Sequence, residues 1–108
     1  MPKYLFAATL TESGMQGVMK EGGTSRREAL RKTAESVGGS LDAFYFAFGT
    51  NDVYLIVDAP DAASAVAASM TTTASGAVRV NTTVLITPEE MDEASSKSKS
   101  VEYRPPGS

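Results

Sequence analysis

An α+β fold, with helices across one face of a four-stranded antiparallel sheet, is predicted by three features of this chain. Its β-prone and helical runs follow one another in a split β-α-β order. Two strand-like runs flank Gly49-Thr50-Asn51-Asp52, which reads as a hairpin connection. Both strands of that hairpin are apolar on both faces, whereas a sheet with one wet face alternates apolar and polar residues. The sheet therefore needs cover on two sides.

The first strand, residues 3–10, points Tyr4, Phe6 and Ala8 one way and Leu5, Ala7 and Thr9 the other. Thr11 is placed to cap a short helix through Lys20, with Met15, Val18 and Met19 on one stripe. Gly14 and Gly17 weaken that helix, by up to ~1 kcal/mol each relative to alanine, and Gly22-Gly23 break it. A second helix is predicted over residues 25–37, capped by Thr24 or Ser25, with Glu28 placed to close a capping box on Ser25. Leu30, Ala34 and Val37 form its buried stripe. Glu28–Lys32 and Arg31–Glu35 support its exposed face, and Gly38-Gly39 end it.

In the hairpin, Leu41, Ala43, Tyr45 and Ala47 alternate with Phe44, Phe46 and Phe48, and Val53, Leu55 and Val57 alternate with Tyr54 and Ile56. At its turn, Gly49 and Asn51 supply backbone freedom, and Asn51 and Asp52 are suited to bonding their own backbone. Asp61 is the N-cap of an alanine-rich helix over residues 62–74, whose small side chains predict close approach to the sheet. Residues 77–86 are the fourth strand. Val78, Val80, Thr82, Val84 and Ile86 share one face, and Arg79, Asn81, Thr83 and Leu85 make the other more polar. Thr87-Pro88-Glu89-Glu90 opens a short C-terminal helix. The folded domain is expected over residues 1–94, with 95–108 a solvated, flexible tail rich in Ser and Lys.

The order β-α-β-β-α-β is the ferredoxin-like sandwich. It carries its helices on one face of the sheet. Covering the other apolar face takes no extra sequence if two copies pack sheet to sheet across an isologous two-fold, so a homodimer or higher homo-oligomer is expected.

Composition narrows the chemistry. The chain of 108 residues, 42% apolar and 21% charged, suits one globular domain. No apolar run approaches the ~20 residues that span a bilayer, and Met-Pro-Lys-Tyr-Leu-Phe is too short an apolar start for a signal peptide. No membrane association and a cytoplasmic location are the expectations. There is no cysteine and no histidine, which excludes imidazole-ligated haem, His-based zinc and Ser-His-Asp catalysis. A metal would need oxygen ligands alone and no EF-hand spacing occurs, so neither metal nor cofactor is expected. The net charge of −3 argues against nucleic acid as a partner.

With these elements in place, the chain resembles the GYD-domain family, named for a Gly-Tyr-Asp motif in the central hairpin. The stretches that carry the resemblance are Pro2-Lys3-Tyr4-Leu5-Phe6, Glu21-Gly22-Gly23-Thr24-Ser25-Arg26-Arg27-Glu28-Ala29, Ser36-Val37-Gly38-Gly39, Phe44-Tyr45-Phe46-Ala47-Phe48-Gly49, Asp52-Val53-Tyr54, Ala74-Ser75-Gly76-Ala77-Val78 and Leu85-Ile86-Thr87-Pro88-Glu89-Glu90. They span about residues 2–94. The motif itself departs from the pattern: Gly49 and Asp52 match, but Thr50-Asn51 stands between them and the tyrosine is missing. The resemblance implies a dimeric α/β-barrel form of the ferredoxin-like fold, and a fold rather than an activity.

Six residues are candidates for a ligand site. Asp52 is either a carboxylate at a cleft mouth or a turn residue bonding local backbone. Arg26 and Arg27 follow Gly-Gly-Thr-Ser at a helix start, as an anion site would require. The alternative is solvated or interface arginines paired with Glu21 or Asp52. Tyr45 and Tyr54, with Phe46 and Phe48, line either an apolar pocket or the core and dimer interface. Arg79 is an anchor for an anionic ligand or half of an ion pair across the dimer. The expected function is a homo-oligomeric module that binds a small metabolite or serves assembly. By analogy with dimeric α/β barrels, the alternative is a cofactor-independent monooxygenase- or isomerase-like enzyme using Asp52 with Tyr45 or Tyr54. The lack of histidine favours binding.

Overall fold

A computed structural model of the chain describes Met1–Ser108. The elements run β1 (Lys3–Leu10), α1 (Glu12–Glu21), α2 (Gly23–Ser36), β2 (Ser40–Phe46), β3 (Val53–Asp58), α3 (Ala62–Ala74), β4 (Val78–Leu85) and α4 (Pro88–Ser98). The strands form one sheet in the order β2-β3-β1-β4, with every neighbouring pair antiparallel. This is the α+β, ferredoxin-like arrangement that the element order predicts, with the additional C-terminal helix in place.

Register divides the sheet into two faces. Tyr4, Phe6 and Ala8 of β1 lie opposite Val57, Leu55 and Val53 of β3, and all six are buried under the helices. On the other face Leu5 pairs with Ile56 and Ala7 with Tyr54, none of them buried in the single chain. β4 adds Arg79, Asn81 and Thr83 to this open face, opposite Thr9, Ala7 and Leu5.

One face assignment changes. Simple alternation groups Leu41 with Ala43 and Tyr45, but a register shift between Leu41 and Ala43 breaks the alternation in β2. Leu41 pairs with buried Val57, so it joins Phe44 and Phe46 on the helix side and leaves Ala43 and Tyr45 on the open face. The strand stops at Phe46, and Phe48 stands fully exposed in the connection. Nor is the connection a tight glycine turn, since Gly49 keeps a negative φ.

The helix boundaries follow local chemistry, with two adjustments. The Thr11 hydroxyl accepts the Gly14 N–H at 3.2 Å and caps α1, and Asp61 accepts the Ser64 N–H at 2.8 Å and caps α3. Gly22, at φ 88°, separates α1 from α2. α2 begins at Gly23, ahead of the expected capping box, so Thr24 and Ser25 sit inside its first turn and no side chain caps it. α4 runs to Ser98, past the boundary expected at residue 94, helped by the Glu93–Lys97 pair one turn apart at 3.1 Å. None of its residues is buried.

Small residues in α1 and α3 have two outcomes. Gly14 is buried against the backbone of Ala77, and Ala65 is 1% exposed. Elsewhere the same smallness leaves space rather than contact. α2 packs over β2, α3 over β4 and α1 against α2, and a cavity of about 500 Å³ remains between these helices and the sheet. No helix is long and apolar enough to cross a membrane.

Candidate functional site

The cavity floor is the helix-side face of the sheet, with Phe6 and Ala8 from β1, Leu55 from β3 and Val80 from β4. Its walls are α1, through Gly14, Gly17 and Val18, then Leu30 and Ala34 of α2, and the Ala65–Ala68–Thr72 side of α3. The walls follow from helical periodicity, which on α1 and α3 brings mostly glycine, alanine and short hydroxyl side chains to the inward stripe, with Val18 on α1 and Leu30 on α2 the larger side chains. Two charged residues belong to the lining, Glu21 at the end of α1 and Arg26 in the first turns of α2. They are brought together because Gly22 turns the chain sharply between the helices. One guanidinium nitrogen of Arg26 donates to Glu21 Oε1 at 3.4 Å, with both side chains more than a third exposed. That geometry makes a weak, screened ion pair.

Arg27 lies apart from this cavity. It borders a smaller recess of about 260 Å³ with Gly23, Thr24, Phe44 and Phe46. The Phe44 and Phe46 rings there meet edge to face, 5.3 Å between centroids.

Asp52 has a structural task. Its carboxylate accepts the backbone N–H of Leu10 at 2.8 Å, while its own N–H donates to Ala8 and its carbonyl accepts from Ala47. The loop side chain thus extends the β3–β1 ladder by one rung beyond the strand and binds β1 rather than its own turn. Asp52→Ala leaves a part-buried N–H without its acceptor and is expected to cost ~1–3 kcal/mol. Asp52→Asn, which keeps an acceptor oxygen, should lie near wild type in urea denaturation.

Tyr45 and Tyr54 are cross-strand neighbours on the open face, 71% and 36% exposed, and the Tyr54 hydroxyl accepts from the Asn51 amide at 3.2 Å. Arg79 is on the same face but at the far edge strand, β4, opposite Thr9. Three strand spacings separate β2 from β4, roughly 14 Å. The six candidates therefore divide between places: Arg26 at the large cavity, Arg27 at the recess, Asp52 in the β1–β3 ladder, and Tyr45, Tyr54 and Arg79 across the open face.

The most perturbed ionisable groups at the sheet are elsewhere again. Lys3 bonds both Asp42 and Asp58, which raises its pKa, and the Lys3 ammonium holds the Asp58 carboxyl below its ordinary value. This cluster ties the ends of β1, β2 and β3 together. It does not touch the cavity lining.

Sequence reasoning allowed for an apolar pocket but gave it to Tyr45, Phe46, Phe48 and Tyr54, none of which lines this cavity. Its signal was present in the inward stripes of α1 and α3, where glycine and alanine stand at positions that usually carry leucine or isoleucine. Comparison with known proteins adds a family and nothing finer. No curated protein and no solved structure gives a significant match. The GYD domain model matches residues 4–95, from the first strand through most of α4. Since that span holds all of the sheet but Lys3 and every wall of the cavity, the chain belongs to the GYD domain family.

Proposed function

We propose that this protein is a homo-oligomeric small-molecule-binding module whose ligand occupies the space between its helices and its sheet. The observation that carries the reading is the cavity of about 500 Å³ with a mostly apolar lining and one ion pair. Its size falls within the range of small-molecule sites, as does the pattern of an apolar wall with few polar groups. The space opens to solvent, so water enters it in the unliganded protein, and an apolar occupant that displaces this water gains the burial energy of the apolar lining.

Homo-oligomerisation is supported by the open sheet face. Leu5, Ala7, Ala43, Tyr45, Tyr54 and Ile56 form a contiguous apolar area there, which a second copy would cover.

Native mass spectrometry of freshly purified protein, with a thermal-shift screen of metabolites, tests the ligand. A retained small-molecule mass or a saturable upward shift is expected; a clean apo mass with no shift from any compound would leave only assembly. Gly17 offers a sharper control. It lines the cavity, and a Cβ built there meets nothing within 4 Å. Gly17→Leu should stabilise the unliganded protein, by ~1 kcal/mol from helix propensity alone, and should abolish the ligand-dependent shift.

A further inference from the structure

We propose that the molecule this cavity takes is an apolar monoanion, its body lying over β1 and β3 and its single carboxylate-type head paired with Arg26. Glu21 is the internal stand-in that the head displaces. The inference rests on the reading of the cavity as a ligand site and adds the chemistry of its occupant.

The polarity of the lining decides the class. Every strand residue on the floor is apolar, and the wall facing it from α3 is alanine with short hydroxyl side chains. The Thr33, Thr71, Thr72 and Ser75 hydroxyls of the lining already donate to carbonyls of their own helices, so few donors remain for a polar body. A ligand with several acceptor groups would bury most of them there unpaired, at ~1–3 kcal/mol each. The body must therefore be apolar. Charge enters the lining at one place, through Glu21 and Arg26.

The state of Arg26 sets the head. A guanidinium has five N–H donors, and Glu21 engages Arg26 through one contact at 3.4 Å. Strong charge-assisted bonds run at ~2.7–2.9 Å, and a carboxylate normally takes two parallel donors. Arg31, on the same helix, shows the contrast, because Glu28 and Glu35 hold it from both sides. Arg26 thus keeps donor capacity directed by its position at the lining, and its present partner is a carboxylate, the group an incoming acid would replace. A dianionic phosphate would call for more than this one cation.

Decanoate and decanol, used below their aggregation limits, differ at the head alone and are the probes, with titration calorimetry as the readout. Wild-type protein should bind decanoate about tenfold or more tightly than decanol, the size expected for a charged hydrogen bond. Arg26→Gln should remove that preference and leave decanol binding unchanged. Glu21→Gln, which frees Arg26, should tighten decanoate several-fold and leave decanol alone, a gain that no loss of structure can mimic. Gly17→Leu should abolish both. If decanol binds as well as decanoate and neither Arg26→Gln nor Glu21→Gln alters the ratio, the anionic head is wrong and the cavity reading stands. If neither probe binds the wild type, or binding survives Gly17→Leu, the cavity reading falls and the inference with it.

Discussion

Gly14→Ala should leave most of the protein unfolded at room temperature in mild urea, while Gly17→Ala, one turn away on the same helix, should be neutral or stabilising. The difference is one of placement. A Cβ at Gly14 would lie 2.0 Å from the carbonyl oxygen of Ala77 and 2.9 Å from its carbonyl carbon, both rigid backbone atoms. Relief requires α1 to lift away from the chain leading into β4. That movement breaks the Thr11 N–H bond to Ala77, at 3.0 Å, and the Thr11 hydroxyl bond to Gly76, at 2.8 Å. Overpacking costs ~1–3 kcal/mol, and each lost bond about 1 kcal/mol more. A sum near 3–5 kcal/mol takes a large share of the ~5–15 kcal/mol that an ordinary domain possesses. Gly17 faces open space instead, so alanine there gains up to ~1 kcal/mol of helix propensity. Urea denaturation of both variants checks the pair. Equal stabilities would show that α1 does not rest on Ala77 as described.

Ile56→Asp should convert an oligomer into a folded monomer. Ile56 is on the central strand β3 of the open face, between Leu5 of β1 and Ala43 of β2, and is partly exposed in the single chain. An aspartate there is solvated in the monomer, which keeps its helix-side core. In a sheet-to-sheet dimer the same carboxylate is buried without a partner, at ~3–5 kcal/mol, weakening association by roughly a hundred- to several-thousand-fold. Light scattering at micromolar concentration should give a dimer or larger species for the wild type and a monomer for the variant, with unchanged far-ultraviolet dichroism. A monomeric wild type would remove the covered-face reading outright. Phe46→Asp should behave differently, because that ring is on the helix side against Phe44 and close to Gly23. Its replacement attacks the packing of α2 on β2 and should lower stability instead of association.

Most of the fold is legible in the sequence because the signals that specify it are local. Asp61 caps α3, Gly38 takes φ 82° after α2, and Thr87 with Glu90 closes a full capping box on α4. Each depends on residues within one turn of one another. The strand faces were equally readable from period-two alternation, except in β2, where a bulge moved Leu41 to the helix side. A bulge depends on the partner strand and leaves little mark in a single run of apolar residues. The start of α2 was misplaced for a related reason. Ser25 and Glu28 have capping-box spacing, but Gly22 turns the chain soon enough for Gly23 to begin the helix.

The candidate site was legible only in its parts. Arg26 and Arg27 adjoin in sequence, yet helical rotation sends one to the large cavity and the other to a separate recess. Asp52 was recognisable as a turn carboxylate, but its partner, Leu10, is far along the chain. By itself the sequence determined the order of elements, the caps and breaks, the two apolar faces of the sheet and the absence of histidine chemistry. The tertiary structure alone decided that Gly14 is sealed against Ala77 while Gly17 faces open space, and that Glu21 and Arg26 meet where three helices fail to close over the sheet. Local patterns set which way a side chain points; the distance between distant segments, which no pattern encodes, sets whether it meets backbone or open space.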